Sequence, residues 1–307
     1  MRRRRPRAHG ARCRVPPCRD RRGRALTAVR VAGLRKRYGE HEAVAGIEFE
    51  IAAGGVFGLL GPNGAGKTTT VEILEGYRPR DAGEVTVLGE DPARAGRRWR
   101  EQIGVVLQHS QLWPNLTVRE TLRMFAGYYV APRHVDDVVS LVGLDEKRDE
   151  RVKTLSGGQK RRVDLGLALV GDPALVFLDE PTTGFDPEAR RAAWDMIRSL
   201  RELGKTILLT THYLDEAQNL ADRVAVIVDG RIVRIGTPAD LVSDARGAEV
   251  RWRDEQGDHV VQTEEPTRLV NELTARALAL GREVEALEVR RASLEDVYLE
   301  LVRERPA

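Results

Sequence analysis

Residues 56 to 75 constrain this chain more than any other stretch. Val56-Phe57-Gly58-Leu59-Leu60 is apolar on both faces, as a central strand of a covered sheet must be. It runs straight into Gly61-Pro62-Asn63-Gly64-Ala65-Gly66-Lys67-Thr68, followed by Thr69 and a helix-like stretch to Glu75. This is the pattern G-x-x-x-x-G-K-[ST] in the strand-to-helix setting that a phosphate-binding loop requires. Glycines let successive backbone N–H groups turn inward around phosphate oxygens, and the helix starting near Gly66 adds the positive end of its dipole. The pattern assigns Lys67 to the β- and γ-phosphates and Thr68 to a Mg²⁺ ion.

A second apolar run, Leu175-Val176-Phe177-Leu178, ends in Asp179-Glu180. Taken alone, two acids at a strand end could simply present charge to solvent. With the phosphate loop upstream they acquire roles: Asp179 completes the Mg²⁺ shell, and Glu180 orients and deprotonates an attacking water. Further strand-like runs are Ala28 to Val31, Ile47 to Ile51, Thr206 to Thr210 and Arg223 to Val228. Helix-like stretches (Gly66 to Glu75, Gly157 to Val170, Pro187 to Leu203) alternate with them. The alternation predicts an α/β core with a largely parallel sheet.

Residues 105–170 read as mostly helical, with amphipathic segments Val118 to Tyr129 and Val135 to Val142, so a helical subdomain is expected there. From residue 243 the pattern changes to strands Ala248 to Arg253 and His259 to Thr263, a helix Thr267 to Leu280, a strand Val284 to Val289 and a helix Leu294 to Arg303. That is a small α+β appendage of residues 243–307, after a nucleotide-binding domain of residues 26–242.

Residues 1–25 are rich in Arg and Pro without hydrophobic period and read as a disordered tail. Of the 50 basic and 47 acidic residues, eleven arginines and one acid fall in the first 24, so the remainder is net negative by about 7. That balance argues against a broad nucleic-acid surface. Cys13 and Cys18 both lie in the tail, which excludes a disulfide framework for the folded part. No apolar run approaches the roughly 20 residues of a membrane-spanning helix, and the basic N-terminus lacks the apolar segment of a secretory signal; a cytoplasmic location is expected.

Leu155-Ser156-Gly157-Gly158-Gln159 settles the class. As plain chemistry it is a Ser N-cap before a helix, but it also resembles the signature of ATP-binding cassette (ABC) proteins. The other cassette elements follow in family order: Tyr38 in Lys36-Arg37-Tyr38-Gly39, Gln108, Asp186 in Gly184-Phe185-Asp186-Pro187, and His212 in Thr210-Thr211-His212. Phe185 stands where Leu is more usual. The resemblance implies that Tyr38 stacks on adenine, Gln108 links Mg²⁺ and water to the permease-facing region, and His212 senses the γ-phosphate. It also implies that Ser156, Gly157, Gly158, Gln159 and Asp186 act across a head-to-tail homodimer. The segment Ala292-Ser293-Leu294-Glu295-Asp296-Val297-Tyr298-Leu299 is similar to the end of cassettes serving ABC-2 type exporters, including antibiotic-resistance pumps. The implied protein is an ATPase at the cytoplasmic face of the membrane that drives export through a separate integral-membrane permease, with no nucleic-acid partner. Two alternatives fit less well. Repair-type cassettes insert a long coiled coil between phosphate loop and signature, whereas Lys67 and Ser156 are 89 residues apart here without heptads. A phosphotransferase gives no reason for the signature.

Because the tail has no hydrophobic period and precedes the first strand, deleting residues 1–24 is expected to leave ATPase activity and Tm nearly unchanged. A large loss of either, in a side-by-side turnover and thermal-melt comparison, would show that its arginines make specific contacts.

Overall fold

The computed structural model describes residues 26–106, 112–243, 248–254, 256–291 and 294–303. The tail, with its two cysteines, and Gln108 lie outside them. The elements run β1 (Thr27–Tyr38), β2 (His41–Ala52), β3 (Val56–Leu60), α1 (Lys67–Leu74), β4 (Ala82–Val87), α2 (Arg97–Arg100), β5 (Ile103–Val106), α3 (Val118–Ala126), α4 (Val135–Leu141), α5 (Gly157–Leu169), β6 (Leu175–Asp179) and α6 (Pro187–Glu202). They continue with β7 (Thr206–Thr211), α7 (Leu214–Leu220), β8 (Arg223–Val228), β9 (Arg231–Gly236), α8 (Pro238–Ser243), β10 (Ala248–Asp254), β11 (Gly257–Thr263), α9 (Pro266–Ala279), β12 (Glu285–Arg291) and α10 (Leu294–Arg303).

The central sheet has six strands in the order β5-β6-β7-β3-β8-β9, parallel except for β9 at one edge. Its strands are apolar throughout because both faces are covered. Leu175 and Phe177 of β6 point into the layer shared with β1, β2, β4 and α1, where Phe49 stacks on Phe57 at 5.2 Å. Val176 and Leu178 point to the opposite layer, built from α3, α4, α5 and α6.

The sequence reading lacks β4 and β9, and it differs at two further strands. The run at Ala28 is the start of a twelve-residue strand, β1, which pairs antiparallel with β2 and β4 in a sheet of its own. Register shifts at Val31/Leu34 and beyond interrupt its alternation, and so its second half is masked in the sequence. Residues 105 and 106, read as helical, are the end of β5. An added Cβ on Gly104 would stand 2.4 Å from the Ala168 carbonyl oxygen, so α5 packs directly onto this strand only because residue 104 is glycine.

After α8 a three-stranded antiparallel sheet forms in the order β11-β10-β12, with α9 against β10. The last helix, α10, returns to the centre. Leu294 is buried with Leu60, Val224, Val226 and Leu241, and the C-terminal helix packs on α7 and α8.

Helix α1 ends at a half-buried acid. Burial pushes the Glu75 carboxyl up to about 8, with the Asp179 and Glu72 carboxylates adding to the effect. Below about pH 4.5 the group is protonated whether the chain is folded or not. As pH rises towards 8 the unfolded chain ionises first, so stability is lost through that window. Glu75→Gln is therefore expected to match wild type in thermal unfolding near pH 4.5 and to exceed it increasingly up to pH 8, where the gain is on the order of 2 kcal/mol after allowing for partial exposure. Parallel pH profiles of Tm for the two nucleotide-free proteins would refute the assignment.

Candidate functional site

The site forms where β3, β6 and β7 end side by side. β3 delivers Gly61, and the loop to Lys67 wraps the start of α1. Gly66 adopts φ 99°, and a Cβ there would lie 2.3 Å from the Ala43 carbonyl oxygen of β2, so no other residue lets the loop close against that strand. Lys67 is 4% exposed; its ammonium donates to the carbonyls of Gly61 at 2.8 Å and Pro62 at 3.1 Å. Burial lowers its pKa, and the nearby Glu180 and Asp179 carboxylates oppose that shift. Pro62, Asn63, Gly64, Ala65, Thr68 and Thr69 complete the loop and first turn, with Ala65 buried beneath it.

β6 delivers the two acids. Asp179 is 8% exposed, and its Oδ2 accepts from the Thr68 hydroxyl at 3.4 Å. Asp179 pairs with Thr210 across the parallel strands. The Thr210 hydroxyl donates to Asp179 Oδ1 and accepts from the Glu180 backbone N–H at 3.0 Å, so one side chain aligns both acids. Glu180 has φ 46°, a left-handed conformation rare for a residue with a side chain and frequent at functional sites. That turn aims its carboxylate back over the loop. Oε1 is 3.8 Å from Lys67 Nζ and 3.2 Å from His212 Nδ1, and Oε2 accepts from the Thr183 hydroxyl at 3.2 Å.

The remaining candidates stand farther out. Tyr38 ends β1 and is 41% exposed, with the Arg78 guanidinium 5.3 Å from its ring centre. It is joined to the loop through the β1–β2 pair, whose Ala43 and Val44 abut Gly66. Ser156 caps α5 in a reciprocal arrangement: its hydroxyl accepts from Gln159 N–H, and Gln159 Oε1 accepts from Ser156 N–H at 2.9 Å. Gly157 and Gly158 open the helix. Among the described residues no hydrogen bond or ion pair joins Ser156–Gln159 to the phosphate loop. The signature helix instead reaches the site from behind, where Arg161 donates to the Asp179 carbonyl at 3.2 Å. Asp186 caps α6, accepting from Ala189 N–H at 2.8 Å.

The donor set suits a hard divalent cation beside a polyphosphate: a buried carboxylate with a hydroxyl on its open side, at a helix N-terminus with a buried ammonium. Sequence reasoning singled out every element of this constellation except Thr210 and Thr183. Thr210 and Thr183 lie in or beside quoted motifs, but their roles depend on strand register and a backbone turn, and no sequence pattern marks them.

The family described as ABC transporter matches residues 44–183. A Nod factor export ATP-binding protein I from Paraburkholderia xenovorans (strain LB400) is 45% identical over 228 residues, covering 73% of this chain and 75% of the relative. The protein of the same name from Burkholderia pseudomallei (strain K96243) is 41% identical over 287 residues, 87% of this chain and 94% of the relative. Among solved structures, an ATP-binding subunit of an ABC transporter superposes over 90% of this chain and 99% of its own, with TM-score 0.66 at 23% identity. The dimeric structure of an ATP-binding cassette in a post-hydrolysis state bound to ADP and Pi covers 68% of this chain and 98% of its own, with TM-score 0.61 at 24% identity.

Proposed function

The chain belongs to the ABC transporter family as an ATP-binding, ATP-hydrolysing subunit, and on that premise we propose that it drives export through a separate membrane permease of the ABC-2 type, with Lys67, Glu180 and His212 at the centre of hydrolysis. One observation carries this reading: a single carboxylate oxygen of Glu180 stands between the Lys67 ammonium and the His212 imidazole.

Lys67 now bonds to two carbonyls of its own loop. Bound ATP would draw the ammonium to the β- and γ-phosphates, and the freed backbone would close around them. Thr68 and Asp179, with Gln108, would hold Mg²⁺, which supplies charge neutralisation on the phosphate oxygens. Glu180 accepts the proton of the attacking water at Oε1, beside a His212 that touches the γ-phosphate. Tyr38 offers an exposed ring to adenine.

Ser156, Gly157, Gly158, Gln159 and Asp186 do not meet the phosphate loop within one chain. We assign them to the nucleotide of a second copy in a head-to-tail homodimer. No described helix is long and apolar enough to cross a membrane; in this reading force passes to a separate permease at the cytoplasmic membrane face. Trp113 fits that contact. It is 46% exposed and stands edge-on to Phe125 at 5.5 Å; Phe125 in turn meets the exposed Tyr128 at 5.8 Å, while Leu112 packs into the helical layer beneath. Such an aromatic ledge is a natural anchor for a short permease helix. Residues 26–242 would then form the motor with the helices from α3 to α5 as its permease-facing subdomain, and residues 243–307 a C-terminal appendage. Export is the direction in the relatives' names; the transported substrate would be selected by the permease, and a role in antibiotic resistance rests on the C-terminal resemblance alone.

Glu180→Gln is expected to bind ATP while losing at least about 100-fold in kcat, and Lys67→Ala to fail earlier, at nucleotide binding. Turnover of Glu180→Gln within a few-fold of wild type would remove Glu180 as the base.

Trp113→Ala is expected to leave the isolated subunit folded and able to bind ATP, yet to weaken co-purification with the permease and abolish transport in membranes. Unchanged transport would refute the docking assignment, and an unfolded variant would make Trp113 a packing residue.

A further inference from the structure

One buried acid stands outside the hydrolytic constellation. Glu216, in the first turn of α7, has no solvent exposure. Its Oε1 accepts from the hydroxyl of Thr182, itself fully buried, at 2.9 Å. Its carboxyl also faces Thr211, Trp194 and Arg190, and burial pushes its pKa up against the lowering influence of those partners. A carboxyl kept in such a place is costly unless its surroundings compensate it.

The surroundings are informative because of what they connect. Thr182 lies two residues after Glu180. Thr211 and Tyr213 flank His212. Arg190 and Trp194 lie one turn apart on α6, the helix that Asp186 caps. The Arg190 guanidinium covers the Tyr213 ring at 4.6 Å, and Tyr213 lies against His212 with ring centres 4.1 Å apart. Thr211 adds a local tie, its hydroxyl accepting from Tyr213 N–H at 2.9 Å. One buried carboxyl thus touches the segment after the base, the turn carrying the histidine and the helix behind Asp186.

The cluster is also rich in donors. Glu216 Oε2, Trp194 Nε1 and Arg190 Nε are buried together, a carboxylate oxygen facing two N–H groups outside ideal hydrogen-bond geometry. Packing alone would be served better by an apolar residue of similar size. Buried polar networks of this kind fix the relative placement of the elements that they join.

We infer that Glu216 is a positioning residue that holds the His212 turn, the Glu180–Thr182 segment and α6 in register, so that the His212 imidazole stands against the Glu180 carboxylate. The inference rests on the assignment of Glu180 and His212 to hydrolysis. Gln at position 216 would preserve the shape but offer one acceptor oxygen where Glu offers two, so it cannot accept from both the Thr182 hydroxyl and the N–H groups of Trp194 and Arg190. The His212 turn would then lose its anchor while the phosphate loop, on α1, stays as it was.

The test is steady-state ATPase kinetics on the full chain for wild type, Glu216→Gln, His212→Ala and the double variant. Glu216→Gln is expected to lower kcat about tenfold through misplacement of the histidine, to keep KM for ATP within about twofold, and to add little when His212 is already Ala. Thr182→Val, which removes the hydroxyl at nearly constant volume, should show a smaller loss with the same non-additivity and covers the case in which Glu216→Gln does not fold. If His212→Ala slows turnover but Glu216→Gln or Thr182→Val does not, or if their effects multiply with that of His212→Ala, the positioning role is overturned and the hydrolytic reading stands. Wild-type turnover in His212→Ala overturns both.

Discussion

The parallel register of β6 on β7 is the constraint from which the site follows. It sets Asp179 opposite Thr210, and the threonine hydroxyl then takes the Glu180 backbone N–H and gives its own proton to Asp179. A slip of one residue would turn either Asp179 away from the phosphate loop or Thr210 into the helical layer, depending on which strand moved, because successive strand side chains point to opposite faces. The strands are locked against that slip by burial on both sides. Phe177 and Leu208 face the α1 layer while Leu178 and Leu209 face the helices, so any shift would exchange two packed cores.

From this register come two acids one residue apart and pointing differently, Asp179 beside the Thr68 hydroxyl and Glu180 beside Lys67 and His212. A regular strand would send Glu180 to the opposite face from Asp179. The left-handed turn at Glu180 breaks the alternation and returns its carboxylate towards Lys67 and His212. Conformational strain of about 1–3 kcal/mol is characteristic of such residues, and here it is compensated by the Thr210 and Thr183 bonds and by a neighbouring buried ammonium. Local order in the site is thus bought from the sheet beneath it, the signature helix joining from behind through Arg161.

The same sheet explains why the groups around Glu180 and the caps of α5 and α6 separate. Everything at the ends of β3, β6 and β7 converges on one phosphate loop, whereas Ser156 and Asp186 cap helices that start elsewhere and satisfy their own backbone N–H groups. In the proposed dimer the cap dipoles of α5 and α6 would face a phosphate presented by the second copy. α10, packed on α7 and α8 with Leu294 in the same core as Leu60 and Val224, ties the C-terminal part of the chain to the sheet that carries the site.

Much of this was legible in the residues themselves. The phosphate loop, the acids at the end of an apolar strand and the Ser156 cap are local patterns, each dictated by the chemistry of a few neighbouring side chains, whereas the signature, Tyr38, Gln108, Asp186 and His212 were legible only through the resemblance to ABC cassettes; the alternation of apolar runs with helical periods is enough for an α/β core. The long irregular β1 escaped because register shifts interrupt its alternation, and the strand at Ile103–Val106 escaped because four apolar residues carry no period that separates strand from helix. Tertiary structure alone decided the pairing of Thr210 with Asp179, the reversal at Glu180, and the meeting of Glu216 with Thr182 and Arg190. Those contacts join residues 26 to 34 positions apart in the chain, and only the packing of whole strands and helices, not the preferences of any local segment, brings them within bonding distance.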